Sequence, residues 1–151
     1  MAYTTNKVHW KQCKKEIKLI REKVFVCEFH ISPDCEFDQQ DNDCEHVLLK
    51  DDDNNTIATG RICQSGKISR VAVLMKYRQT DAAKRVVNKL IEIAKSKGLN
   101  RVYIDSELDA IHHYQAQGFE PAGQVFMQGG VAKQPLTCAL KQFSCQQSIL
   151  H

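Results

Sequence analysis

The chain is expected to form one α/β (α+β) domain, a mixed central β-sheet with helices on both faces, and three observations carry that expectation. Residues 68–75 place apolar side chains in both alternating sets, Ile68, Ala72 and Leu74 against Val71, Val73 and Met75, as in a central strand covered on both sides. Residues 82–94 repeat Ala82, Ala83, Val86, Val87, Leu90, Ile91 and Ala94 at three- and four-residue spacing, the signature of an amphipathic helix. At 151 residues, 42% hydrophobic and 26% charged, the chain has room for one core and no second domain.

After an opening strand, Cys13, Ile17, Ile20 and Val24 share one face of a first helix over 11–24, with Lys11, Lys14, Lys15, Lys18 and Arg21 elsewhere. The run DDDNN at 51–55 reads as the turn of a hairpin with strands at 45–50 and 56–63. Thr80 or Asp81 can cap the second helix and Gly98 can end it. RVYIDS at 101–106 makes a short strand, Asp109 can cap a third helix that stops before Gly118, and GFEPAGQVF returns as a strand. Pro135 limits the last strand to starting after it, or to an edge or bulge.

Charge is unevenly placed. Residues 34–53 carry nine carboxylates against Lys50, whereas residues 67–101 carry ten Lys or Arg against Asp81 and Glu92. Such segments are solvated faces in the bland reading; in the functional one the first attracts a cationic amine and the second phosphates. A net charge of +3 with no basic stripe bearing aromatics argues against nucleic acid. The apolar runs are too short for a membrane span and the N-terminus has no signal-like region, so a cytoplasmic location is expected. The odd set Cys13, Cys27, Cys35, Cys44, Cys63, Cys138 and Cys145 contains no C-x-x-C pair and reads as free, mostly small apolar residues. Cys27, His30, Cys35, Cys44 and His46 cluster in sequence but match no zinc spacing, so no metal is expected.

RVAVL, then YRQTDAA and the long helix, then VYIDSELDAIHHYQAQGFEPAGQVF, resemble the GNAT superfamily of acyl-CoA-dependent N-acyltransferases. IREKVFVCEFHISPDCEFDQQDNDCEHVLL resembles the substrate-side segment of one bacterial branch, where a helix ends in a VFV-type strand before an E-x-D loop. The resemblance covers residues 15–140, which sets a GNAT-like domain at 1–140 and leaves 141–151 as a tail. It implies acetyl-CoA as co-substrate, a small-molecule or peptidyl primary amine as acceptor, and a monomer or homodimer. The alternative is a catalytically silent GNAT-fold binding protein with an impaired CoA site.

In that family the pyrophosphate rests on backbone amides of a loop written R/Q-x-x-G-x-G/A, where the helix dipole favours anions. The resemblance assigns Arg78, Gln79, Thr80, Asp81, Ala82, Ala83 and Lys84 to this loop, Val71, Ala72 and Val73 to the cofactor-side strand, and Asp109 to a position where the family commonly has Asn. Asp81 stands where the middle glycine is expected. Its carboxylate either occupies the amides that phosphate would use or swings outward while Lys76, Arg78, Lys84 and Arg85 compensate. Tyr114 matches the tyrosine that protonates the departing thiolate, and Ala110, four residues earlier, shares its helix face. An amide near Ala72 or Val73 would polarise the acyl carbonyl. The base that takes the acceptor's proton is sought among Glu28, Glu36, Asp38 and His46, with Glu28 and His46 preferred.

Overall fold

The acidic hairpin turn is built by its own side chains. Asp51 Oδ1 accepts the backbone N–H groups of Asp53 and Asn55, each at 2.9 Å, and Asn54 takes a left-handed φ of 65°. The structure, a computed structural model, describes residues 3–33 and 37–143. Its order is β1 (Thr4–Val8), α1 (Trp10–Arg21), β2 (Glu45–Lys50), β3 (Thr56–Ile62), β4 (Ile68–Val73), α2 (Ala82–Ser96), β5 (Arg101–Glu107), α3 (Ile111–Ala116), β6 (Glu120–Pro121), β7 (Phe126–Gln128) and β8 (Val131–Ala139). None of the described helices is long and apolar enough to cross a membrane.

Strands β1-β2-β3-β4 form one antiparallel sheet, and β8 is flanked by β5 on one side and by β6 and β7 on the other in a second. The two sheets are joined by a parallel bridge, Lys67 to Tyr103, where the Tyr103 N–H reaches the Gly66 carbonyl at 3.0 Å. Beyond that bridge β4 and β5 diverge. Helices do cover both faces of the first sheet: Ala72 packs with Ile20 and Val24 below α1, whereas the next residue, Val73, joins Val86, Val87 and Leu90 of α2. Burying a side chain such as Leu90 contributes roughly 1.5–3 kcal/mol. Gly60 permits the close approach, since a Cβ there would lie 2.6 Å from Val86 Cγ1. The α2 cluster continues through Val102, Ile104, Phe119 and Leu136, so both sheets share one core.

Several expectations need correction. Val24, Phe25 and Val26 do not form a strand; after Arg21 the helix widens into π-turns over Glu22–Glu28, with the Phe29 N–H bonded to the Val24 carbonyl at 3.2 Å. Four-residue spacing from Ile20 keeps Val24 on the buried face, and packing overrides the β-propensity of the run. Asp109 does not cap α3: it is exposed in the turn Leu108–Ala110, and Ala110 occupies the N-cap position. GFEPAGQVF forms the two short strands β6 and β7 with a break between them. Pro135 lies inside β8, and its carbonyl accepts the Ala122 N–H in that break, the side on which its own N–H is missing.

Cys44 and Cys63 pair as a disulfide across the end of β2 and β3, with Cα atoms 4.4 Å apart, so they are not free thiols. Cys27 is exposed, Cys13 half-buried and Cys138 buried, which leaves Cys138 as the small apolar core residue among these three; Cys35 and Cys145 lie outside the described residues. Packing also continues past the expected boundary at residue 140. The Leu140 N–H binds the Asn100 carbonyl and Phe143 meets Phe119 edge-on at 6.4 Å. The rest of the tail, 144–151, lies outside the described residues.

Candidate active site

The divergence of β4 from β5 opens a cleft of about 890 Å³. On its β4 wall the register changes: Thr59 pairs with Ala72 and Arg61 with Ser69, so Arg70 and Val71 together oppose Gly60 as a β-bulge, with Arg70 at φ 54°. Arg70 and Val71 line the cleft. The Leu74 N–H bonds the Ile57 carbonyl on β3 at 3.0 Å, and alternation therefore turns the main chain of Val73 to the open edge. Ala72, in the opposite phase, pairs with Thr59 and buries its side chain toward α1.

Across the cleft, Ala110 and Tyr114 both line the wall. The Tyr114 ring packs edge-on against Phe119 at 5.5 Å. Burial, and secondarily the negative charge of Glu107, pushes its hydroxyl above the ordinary tyrosine value, so it stays protonated across the neutral range. Asp109 is not part of the cleft lining.

In the loop before α2 the Asp81 carboxylate does not cap its own helix. Thr80 Oγ1 accepts the Ala82 N–H at 3.2 Å and donates to the Tyr77 carbonyl at 2.6 Å. Asp81 occupies the N-cap position without a side-chain capping bond; its Oδ2 instead accepts from Arg85 Nε at 2.9 Å. Ala83 is exposed in the first helical turn beside Lys84, and Gln79 is exposed before it. Arg78 is engaged twice: Nε donates to the Val73 carbonyl at 2.9 Å and Nη2 pairs with Glu28 Oε2 at 2.7 Å, with the guanidinium near the Phe29 ring. The expected base and the expected phosphate ligand thus hold each other. Glu28 lies against the loop and does not line the cleft.

His46 does not face the cleft either. It is 1% exposed, stacks on Trp10 at 5.3 Å, and donates from Nε2 to the Asp41 carbonyl at 2.8 Å. Burial chiefly pushes its pKa below the usual histidine range. It belongs to an ionic network that the sequence did not reveal. Arg21 pairs with Asp41 Oδ1 at 2.7 Å; Arg61 donates to Asp41 at 2.9 Å and to both oxygens of Asp38 at 2.9 and 2.8 Å; Arg70 Nη2 reaches Asp38 at 3.0 Å. Arg61, Arg70 and Asp38 line the cleft. The Arg61 hydrogen bond and charge hold Asp38 far below the carboxylate range, which disqualifies it as a base. Asp38 and Asp41, two of the nine carboxylates of the acidic segment, thus face arginines rather than a cationic acceptor. The network's one signal in the sequence was Arg61, a charge inside the otherwise buried strand TIATGRI. Glu36 lies outside the described residues.

A family model described as an acetyltransferase (GNAT) domain matches residues 11–140. The chain belongs to the GNAT acetyltransferase family. The uncharacterized protein YyaT of Bacillus subtilis (strain 168) is 34% identical over 118 residues, which cover 74% of this chain and 79% of that protein. Among solved structures, an acyl-CoA N-acyltransferase from Pseudomonas aeruginosa superposes with a TM-score of 0.76 at 20% identity, over 91% of this chain and 99% of that one. A GNAT family acetyltransferase from Elizabethkingia anophelis, solved with acetyl-CoA bound, gives 0.67 at 16% identity, over 91% and 97%. At these identities the structural likeness shows the fold.

Proposed function

We propose that this GNAT protein transfers an acetyl group from acetyl-CoA to a primary amine of a small-molecule or peptidyl acceptor. The observation that carries this reading is the opposition, across one cleft, of an unpaired β4 edge and the protonated hydroxyl of Tyr114. Two features of the loop support the co-substrate as well: Asp81 leans on Arg85 and not on the amides of its own helix, and Ala82 and Ala83 put no bulk before the first turn of α2, where phosphate would take the place of Thr80 Oγ1 on the Ala82 N–H.

Acetyl-CoA supplies the acyl group as an activated thioester. Val73 offers an outward N–H as the main-chain donor, and the first turn of α2 with Lys84 faces the diphosphate. Arg78 joins it by exchanging Glu28 for phosphate. Tyr114 gives its proton to the departing sulfur, and positioning of the two reactants provides most of the rate.

Calorimetry with acetyl-CoA and CoA, followed by thiol-release assays, tests the proposal. Tyr114→Phe is expected to lower kcat about 100-fold with acetyl-CoA affinity unchanged; full activity would remove the acid role. The silent reading is favoured by the double engagement of Arg78. Absence of binding at millimolar ligand would leave only that reading.

A further inference from the structure

The geometry points to His30 as the catalytic base that takes the acceptor amine's proton, an inference that rests on the acetyltransferase reading. Four non-glycine residues among those described have positive φ, and two of them, His30 at 57° and Arg70 at 54°, line the cleft. Arg70 owes its conformation to the β4 bulge. His30 sits where a π-turn gives out, between Phe29 and Ile31, in a left-handed conformation that glycine would adopt at lower cost. Neither a hydrogen bond nor an ion pair holds its imidazole among the described residues.

Among the described residues, the other titratable groups of the cleft are paired or placed elsewhere. Asp38 is clamped by Arg61 and Arg70. Asp105 is paired with Lys67; Glu107, half exposed and 3.8 Å from Lys133, is set aside by its place and not by that loose pair. Glu107 is also the charge felt by Tyr114, which places it toward the leaving-group end. Glu28, even when phosphate takes its place on Arg78, lies outside the cleft lining, and His46 is sealed beneath Trp10. Among the described residues that leaves one imidazole, in a cleft whose lining also includes Phe25, Phe29, Ile31 and Val131, apolar surface suited to an amine carried on an apolar body.

The proton count closes. An imidazole nitrogen of His30 removes one proton from the acceptor ammonium and passes it to solvent. The freed nitrogen pair forms the C–N bond as the thioester C–S bond breaks, with the electron pair leaving on sulfur. Tyr114 protonates that sulfur, and the second proton lost by nitrogen returns through water to the tyrosinate.

His30→Gly separates this role from a structural one, because glycine relieves the backbone. The variant is expected to melt no lower than wild type and to bind acetyl-CoA in calorimetry with unchanged affinity. With whichever member of a panel of primary arylalkylamines and amino acids gives wild type the fastest CoA release, kcat/KM should fall about 100-fold at pH 7. It should then rise about tenfold per pH unit, as free amine becomes the reactant, where wild type is flat. Added imidazole should restore part of the rate. A His30→Gly protein as active as wild type, or one whose pH profile stays flat, overturns the assignment while leaving the transferase reading intact. Lack of acetyl-CoA binding by wild type, or of CoA release on the whole panel, overturns both.

Discussion

The segment 38–41 and the loop 75–83 each bring aspartate up to arginine, yet they use the pair in opposite ways. Asp41 is 3% exposed between Arg21 and Arg61, and Asp38 closes the row against Arg61 and Arg70. Asp81 and Arg85 form an i,i+4 pair with more than a third of each side chain in water. In the first region charge has been removed from solvent and fixes the wall of a cleft; in the second it remains hydrated and can be rearranged by a ligand. Position within the fold, more than residue type, decides which carboxylate is scaffold and which is negotiable.

Removing the innermost carboxylate is the severest way to break that contrast. Asp41→Ala removes the buried carboxylate that Arg21 and Arg61 share, leaving Arg61 on Asp38 alone and Arg21 without this ion pair, and is expected to cost about 3 kcal/mol in urea unfolding. A loss below 1 kcal/mol would place this network in the same hydrated class as the Asp81 pair.

Acidification probes the same wall less abruptly. Desolvation depresses His46, so the unfolded chain binds its proton first and stability should begin to decline as pH falls below about 6.5. Burial alone would raise Asp41, but hydrogen bonds and charge from Arg21 and Arg61 outweigh it, and Asp38 is lowered chiefly by Arg61. Their stabilising contribution is complete above the unfolded carboxylate value near 3.9 and is lost below it. A melting temperature unchanged from pH 7 to pH 4 would contradict the His46 part of this picture.

The mildest probe belongs to the loop. Asp81→Gly should leave stability within about 0.5 kcal/mol, since an exposed helical pair is worth little and glycine is accepted at an N-cap. It should tighten acetyl-CoA tenfold or less by removing one negative charge near the diphosphate. Weaker binding would show that the Asp81–Arg85 pair organises the site.

Periodicity made α2 legible, and the turn residues made the hairpin legible, because each depends on local spacing alone. The Ala110–Tyr114 face was readable for the same reason. Val24-Phe25-Val26 misled because a β-branched and aromatic run resembles a strand unless Ile20 and Ala72 are known to claim Val24. The Asp38–Arg61–Arg70 wall and the Cys44–Cys63 pair are long-range events, 19 to 32 residues apart, that no local pattern encodes. His30 was hidden for a different reason: its left-handed backbone is imposed by the way the π-turn ends, and a histidine in that stretch looks like any exposed polar residue.

One parallel bridge joins the two sheets in front, while behind them α2 and a continuous apolar core clasp both. The opening between β4 and β5 is therefore braced like the jaws of a fixed wrench. Ligands meet strands already parted, so the main chain needs little ordering, and discrimination falls to the side chains that line and border the jaws.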